Sequence, residues 1–190
     1  MISVIIPTLN AARLLPPAFQ SLFDAAMDGL VSEVIVSDCG STDATLEIAD
    51  AAGATVIEAG HGQQRLAGAL AAKKPWLLFL EPGHVIEKGW EDEIRSFVAK
   101  GESRAAAFRI RLRGNGIGAR FREGFAAVRF RLSGQPPKGQ ALLVPVRLLE
   151  KAGGFASTPP DGEAGLLRLL GRERVYRLKA AVFVAGTYKP

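Results

Sequence analysis

Two stretches within the first 45 residues share one pattern. The apolar run Ile2-Ser3-Val4-Ile5-Ile6 ends in Pro7-Thr8-Leu9-Asn10. The run Glu33-Val34-Ile35-Val36-Ser37 ends in Asp38-Cys39-Gly40-Ser41-Thr42-Asp43, and a helical pattern starts at Ala44-Thr45-Leu46. Each unit is a strand that delivers polar side chains and a loop of backbone N–H groups to the carboxyl edge of a parallel sheet. That edge is where open α/β proteins bind nucleotides. The pair constrains the fold more than any bulk property of the chain.

The rest of the chain extends the alternation. Strand patterns fall at 2–6, 33–37, 54–58, 76–81, 105–113, 140–145 and 181–185, and helical patterns at 11–27, 43–52, 62–73, 88–100, 117–132 and 161–171. Leu14, Leu15, Ala18, Leu22 and Met27 are expected on one face of the first helix. Continuous apolar strands such as Val4-Ile5-Ile6 suit a sheet covered on both faces. Four strand–helix units in succession predict an α/β fold, a mostly parallel sheet sandwiched by helices with right-handed crossovers. A chain of 190 residues with 48% hydrophobic content fits one such domain. The single cysteine, Cys39, excludes a disulfide framework and zinc sites built from several cysteines. The opening lacks a signal-peptide pattern, and no apolar run approaches the ~20 residues of a membrane span. The expectation is a cytoplasmic protein.

Charge is uneven. The formal net charge is +5, yet between Arg104 and Arg131 eight arginines stand against one acid, Glu123, so that segment carries +7 and the remainder −2. Ile117, Phe121, Phe125, Val128 and Leu132 fall on one helical stripe among those arginines. Such a basic amphipathic helix suits peripheral contact with an anionic membrane, or a core helix with a solvated face. The segment lacks interleaved Tyr or Trp platforms, so nucleic acid is not expected as a partner.

Taken in order, these motifs resemble family 2 glycosyltransferases of the GT-A fold. Ser3 to Asn10 and Asp38 to Asp43 are similar to the family's opening. Gln64-Arg65-Leu66-Ala67-Gly68 is similar to its arginine-containing helix start. Leu78-Phe79-Leu80-Glu81-Pro82-Gly83 sits where the family carries a metal-binding Asp-x-Asp. Gly153-Gly154-Phe155 resembles its Gly-Gly-Phe turn, and Asp161-Gly162-Glu163 sits where an acidic pair precedes the last main helix. The stretch from Arg131 to Val144 is similar to a short bacterial subgroup.

The resemblance implies a single GT-A-like domain, with 1–100 as the nucleotide-binding half and 101–190 as the acceptor side. It implies transfer of a sugar, with inversion, from a UDP- or GDP-sugar to a hydroxyl acceptor. Pro7, Thr8, Asn10, Asp38, Arg65 and Glu81 would bind the donor: Asp38 its base or ribose, Arg65 its diphosphate through a guanidinium fork. Asp161 or Glu163 would take the acceptor's proton. A lipid-linked acceptor would match the basic segment.

The chain departs from that pattern at two places. Glu81-Pro82-Gly83 replaces Asp-x-Asp, leaving Glu81 and His84 to hold the divalent metal, Mn²⁺ or Mg²⁺, that the resemblance implies. Hard cations want several oxygen ligands. The acid pair is also altered, with Gly162 between Asp161 and Glu163. Two readings follow. An enzyme poor in metal ligands would use Arg65 and part of the arginine segment to hold the leaving diphosphate. Alternatively, the chain is a catalytically degenerate nucleotide-binding or scaffold protein. From the residues alone, Asp38 also reads as the anchor of its own turn, Asp43 as a helix N-cap, His84 as a surface-loop histidine and Cys39 as a half-buried small residue.

Overall fold

The computed structural model of the chain describes residues 1–100, 104–111, 141–151 and 175–184. Eight strands form one sheet: β1 (Ile2–Thr8), β2 (Val31–Asp38), β3 (Thr55–Glu58), β4 (Trp76–Phe79), β5 (His84–Ile86), β6 (Ala105–Arg111), β7 (Leu142–Pro145) and β8 (Val175–Val184). The described helices are α1 (Leu15–Met27), α2 (Thr45–Ala51), α3 (Gln64–Ala71), α4 (Trp90–Ala99) and α5 (Val146–Lys151). The helical patterns at 117–132 and 161–171 lie outside the described residues, as does the Gly153-Gly154-Phe155 turn.

The strand order is β3-β2-β1-β4-β7-β6-β8-β5. Pairs β1/β2, β1/β4, β2/β3 and β6/β8 are parallel, whereas β4/β7, β6/β7 and β5/β8 are antiparallel. The amino-terminal half therefore forms the parallel block that the alternation predicts. The antiparallel pairs gather around β7 and at the far edge.

The central strands are buried throughout, and successive side chains alternate between two cores. Val4 and Ile6 of β1 and Leu78 of β4 share a core with Leu15 and Leu22 of α1, Ala49 of α2 and Ile94 of α4. Ile5, Leu77 and Phe79 join a second core with Ala69 of α3 and Leu148 and Leu149 of α5. Helices α1, α2 and α4 thus cover one face and α3 and α5 the other, which is why the strands are apolar on both sides.

Several boundaries differ from the sequence reading. Helix α1 starts at Leu15 after a turn closed by Leu14 N–H on the Ala11 carbonyl at 2.8 Å, and Pro16 and Pro17 fall in its first turn, where missing N–H groups cost least. Its buried face is Leu15, Ala18, Leu22 and Ala25. Met27 is 73% exposed and Leu14 lies partly in solvent. Nine residues at roughly 100° each place Met27 half a turn away from Ala18. Strand β5 is an addition to the sequence reading: three residues straight after a turn carry too short a pattern to read.

Close packing sets where α3 lies. A Cβ on Gly68 would come within 2.4 Å of Ile5 Cγ2, and Ile5 is fully buried. Glycine there lets α3 settle onto β1 and fixes the position of its first turn, which carries Arg65.

Candidate active site at the β2–β1–β4 edge

Strands β2, β1 and β4 are parallel neighbours, so Asp38, Thr8 and the turn after Phe79 emerge along one edge. The chain runs outward from β1 to β2 and β3, then returns to place β4 on the other side of β1. A crevice opens at such a reversal in strand order.

Asp38 organises the first part of this edge. It is only 4% exposed and pairs in register with Thr8. Its Oδ1 accepts from Thr8 Oγ1 at 2.7 Å and Ser41 Oγ at 2.5 Å, and its Oδ2 accepts from the N–H groups of Gly40 at 2.9 Å and Ser41 at 2.7 Å. A carboxylate offers about four acceptor positions, and the chain's own donors fill them. Burial raises the Asp38 pKa, but the hydrogen bonds from Ser41, Thr8 and Gly40 more than offset this and hold it below its usual value. Gly40, at φ 98°, supplies the left-handed backbone the turn requires. Of the two readings of Asp38, the turn anchor is what this geometry displays.

Asn10 stitches the neighbouring loop to this turn. Its backbone takes φ 51°, its N–H donates to Ser41 Oγ at 2.8 Å, and its Oδ1 accepts from Thr42 N–H at 2.8 Å. Pro7 is buried opposite Ser37 within β1. Asp43 lies one residue before the N-cap, Ala44, rather than at it. Its carboxylate accepts from the N–H and hydroxyl of Thr45 and from Ala12 N–H, which ties α2 to the loop before α1. The hydrogen bond from Thr45 is the largest influence holding its pKa down.

On the β4 side, Arg65 in the first turn of α3 forms an ion pair with Glu81. Their side chains are 30% and 27% exposed, enough for a ligand to reach them. His84 N–H closes the Glu81-Pro82-Gly83 turn on the Glu81 carbonyl at 2.9 Å. The surface-loop reading of His84 is corrected: it opens β5 and is 3% exposed. Burial, assisted by the charge of Arg65, lowers its pKa to about 4, so the imidazole is neutral at ordinary pH. Its Nδ1 is buried and has no hydrogen-bond partner among the described residues.

Sequence reasoning passes over two residues at this edge. Ser41 both donates to Asp38 and accepts from Asn10, bridging the two loops. Gln64 Nε2 lies 2.8 Å from Cys39 Sγ and so links α3 to the Asp38 turn. Asp followed by Ser at i+3 is a turn signature in sequence, whereas the Gln64–Cys39 contact has no local signal.

The residues proposed as catalytic, Asp161 and Glu163, lie outside the described residues. Of the arginine segment, only Arg104, Arg109 and Arg111 are described: Arg104 stacks over the Tyr176 ring at 5.6 Å and Arg111 pairs with Glu87 at 2.6 Å. No described helix is long and apolar enough to cross a membrane. A separate cavity of about 700 Å³ lies between α4 and β8, lined in part by Trp90, Phe97, Lys100, Tyr176 and Lys179.

The sequence of residues 3–147 matches the family model described as glycosyl transferase family 2. The chain belongs to glycosyl transferase family 2. It is similar to an uncharacterized glycosyltransferase of Rickettsia bellii, 32% identical over 115 residues, covering 58% of this chain and 37% of that protein. The chain thus spans little more than a third of that curated relative's length.

Solved structures share the fold. The crystal structure of Staphylococcus aureus TarS 1–349 superposes with a TM-score of 0.70 at 19% identity, over 96% of this chain and 60% of that one. Glucosyl-3-phosphoglycerate synthase from Mycobacterium tuberculosis, in complex with Mn²⁺, uridine diphosphate and glucosyl-3-phosphoglycerate, superposes with a TM-score of 0.62 at 21% identity, over 100% and 72%. The TarS fragment is also known in complex with UDP. At these identities the likeness establishes a GT-A fold.

Proposed function

We propose that this family 2 domain binds a nucleotide diphosphate sugar, with UDP as the favoured nucleotide, and transfers the sugar to a hydroxyl acceptor. The observation that carries the reading is convergence. The loop bearing Thr8 and Asn10, the Asp38 turn and the Arg65–Glu81 pair come from separate parts of the chain and meet along one crevice edge. UDP is favoured over GDP because the similar TarS and synthase structures contain it.

In this reading the Asp38 turn shapes the nucleoside end, and its carboxylate acts by holding Gly40 and Ser41 in place. Arg65 pairs with the diphosphate. The acceptor oxygen attacks the anomeric carbon from the side opposite the diphosphate, the bond to the leaving phosphate oxygen breaks, and configuration inverts. The acceptor's proton passes to a carboxylate, for which Asp161 and Glu163 are the candidates. UDP leaves with the bonding electrons.

Calorimetric titration with UDP, GDP and their sugars tests this. Saturable UDP binding, followed by sugar transfer to a hydroxyl acceptor, is the expected result. A chain that binds none of them has no donor site, and the reading fails. Binding without transfer to any acceptor favours a nucleotide-binding protein that has lost turnover.

A further inference from the structure

The metal implied by the family resemblance fits poorly with the residues at the β4 edge. Glu81, the one carboxylate of the Glu81-Pro82-Gly83 turn, is already engaged by the Arg65 guanidinium. Gly83 contributes no side chain. His84 is buried, and imidazole suits hard oxygen-seeking cations less well than carboxylate. Among the described residues no group of three His, Cys, Asp or Glu side chains is gathered as a metal site. A dication placed at Glu81 would also sit beside a fixed guanidinium charge, and like charges at contact distance repel.

The same arrangement has a positive use. We infer that the donor seat works without a divalent ion, with Arg65 as the fixed positive charge for the diphosphate and Glu81 as the residue that positions it. This rests on the donor reading above and specifies the charge at that site. Glu81 therefore has an inverted role: an acid at the metal position holds a cation belonging to the protein. Arginine suits this because its guanidinium is always charged, planar and matched to paired phosphate oxygens. The seat is set by backbone on both sides. Gly68 fixes the depth of α3 against Ile5, and His84 N–H closes the turn that presents Glu81.

The test is titration of the full chain with UDP in EDTA and again with excess Mn²⁺. Wild-type affinities should agree within about two-fold, while Arg65→Met should lose about ten-fold or more in EDTA and Arg65→Lys should fall between them. Glu81→Gln should weaken UDP binding by several-fold without creating a metal requirement, and its melting profile shows that the variant folds. Wild-type binding that requires Mn²⁺, with the requirement lost in Glu81→Gln, would overturn the inference and leave the donor reading standing. Unchanged UDP binding by a folded Arg65→Met overturns it as well. If UDP, GDP and their sugars all fail to bind in both conditions, the donor reading itself falls and the inference with it.

Discussion

Asp38 and Glu81 carry the same functional group at the same sheet edge, one strand apart on either side of β1, yet they are used differently. Asp38 spends both oxygens on its own turn and on Thr8, the neighbouring strand's last residue. Glu81 faces a guanidinium brought by a helix that precedes it in the chain. The first carboxylate is part of the scaffold, and its removal should deform a loop. The second fixes a charge, and its removal should leave the fold intact while loosening that charge. An acid at the carboxyl edge of a sheet can therefore be structural or electrostatic, and its partners show which.

The sharpest way to break this comparison is Asp38→Ala. The substitution strands two hydroxyls and two backbone N–H groups beside a buried position, and we expect a loss of about 3 kcal/mol or more in urea unfolding, with UDP binding lost alongside. A stability change below about 1 kcal/mol would contradict the scaffold role.

His84 gives the next largest effect, through pH. Its folded pKa of about 4 lies below the ordinary value of 6.5, so the unfolded chain takes up the proton first. The cost of burying this imidazole is therefore absent above about pH 6.5 and grows as pH falls towards 4, up to roughly 3 kcal/mol of lost stability. Unfolding free energies measured across this window should slope downward with acidification, and the slope should flatten in His84→Gln. An unchanged slope in that variant would place the titration elsewhere.

Gly68→Ala separates the two acids. The added methyl meets a buried Ile5, and an overpacked contact of this kind costs about 1–3 kcal/mol. Lifting α3 should move Arg65 away from Glu81 while leaving the Asp38 turn closed, so UDP affinity should fall more than the cost in stability alone implies. Smallest in stability is Glu81→Gln. A pair this exposed contributes at most about 1 kcal/mol to folding, so the melting temperature should hardly move even as UDP affinity drops.

How much of this was legible in sequence follows the range of the interactions. The parallel block was, because apolar runs that end in polar turns report strand direction locally. The Asp38 turn is half legible: the Asp-Cys-Gly-Ser spacing admits an anchor or a ligand contact, and the hydrogen bonds show the anchor. The Arg65–Glu81 pair was not legible as a pair. Each residue reads singly as a ligand contact, and their meeting depends on how deeply α3 packs, which turns on Gly68 and Ile5. His84 read as loop because three residues after a Pro-Gly turn show no period, while its burial comes from pairing with β8, about a hundred residues away. Met27 is apolar but lies half a turn from the buried face of α1, which composition does not reveal and helical angle does. Asp161, Glu163 and most of the arginine segment remain proposals, and sedimentation with anionic vesicles at low salt tests the membrane part: retention in the supernatant removes it.

The central claim is that the nucleotide diphosphate sits at the β2–β1–β4 edge against a cation the protein itself supplies. Amide hydrogen exchange with and without saturating UDP in EDTA tests it most directly. The account predicts slowed exchange across Leu9–Ala12, Cys39–Thr42 and Gln64–Leu66, with Tyr176–Ala180 and Trp90–Phe97 beside the second cavity unchanged. Protection confined to that α4–β8 cavity, or protection at the edge that appears only with Mn²⁺, would contradict it.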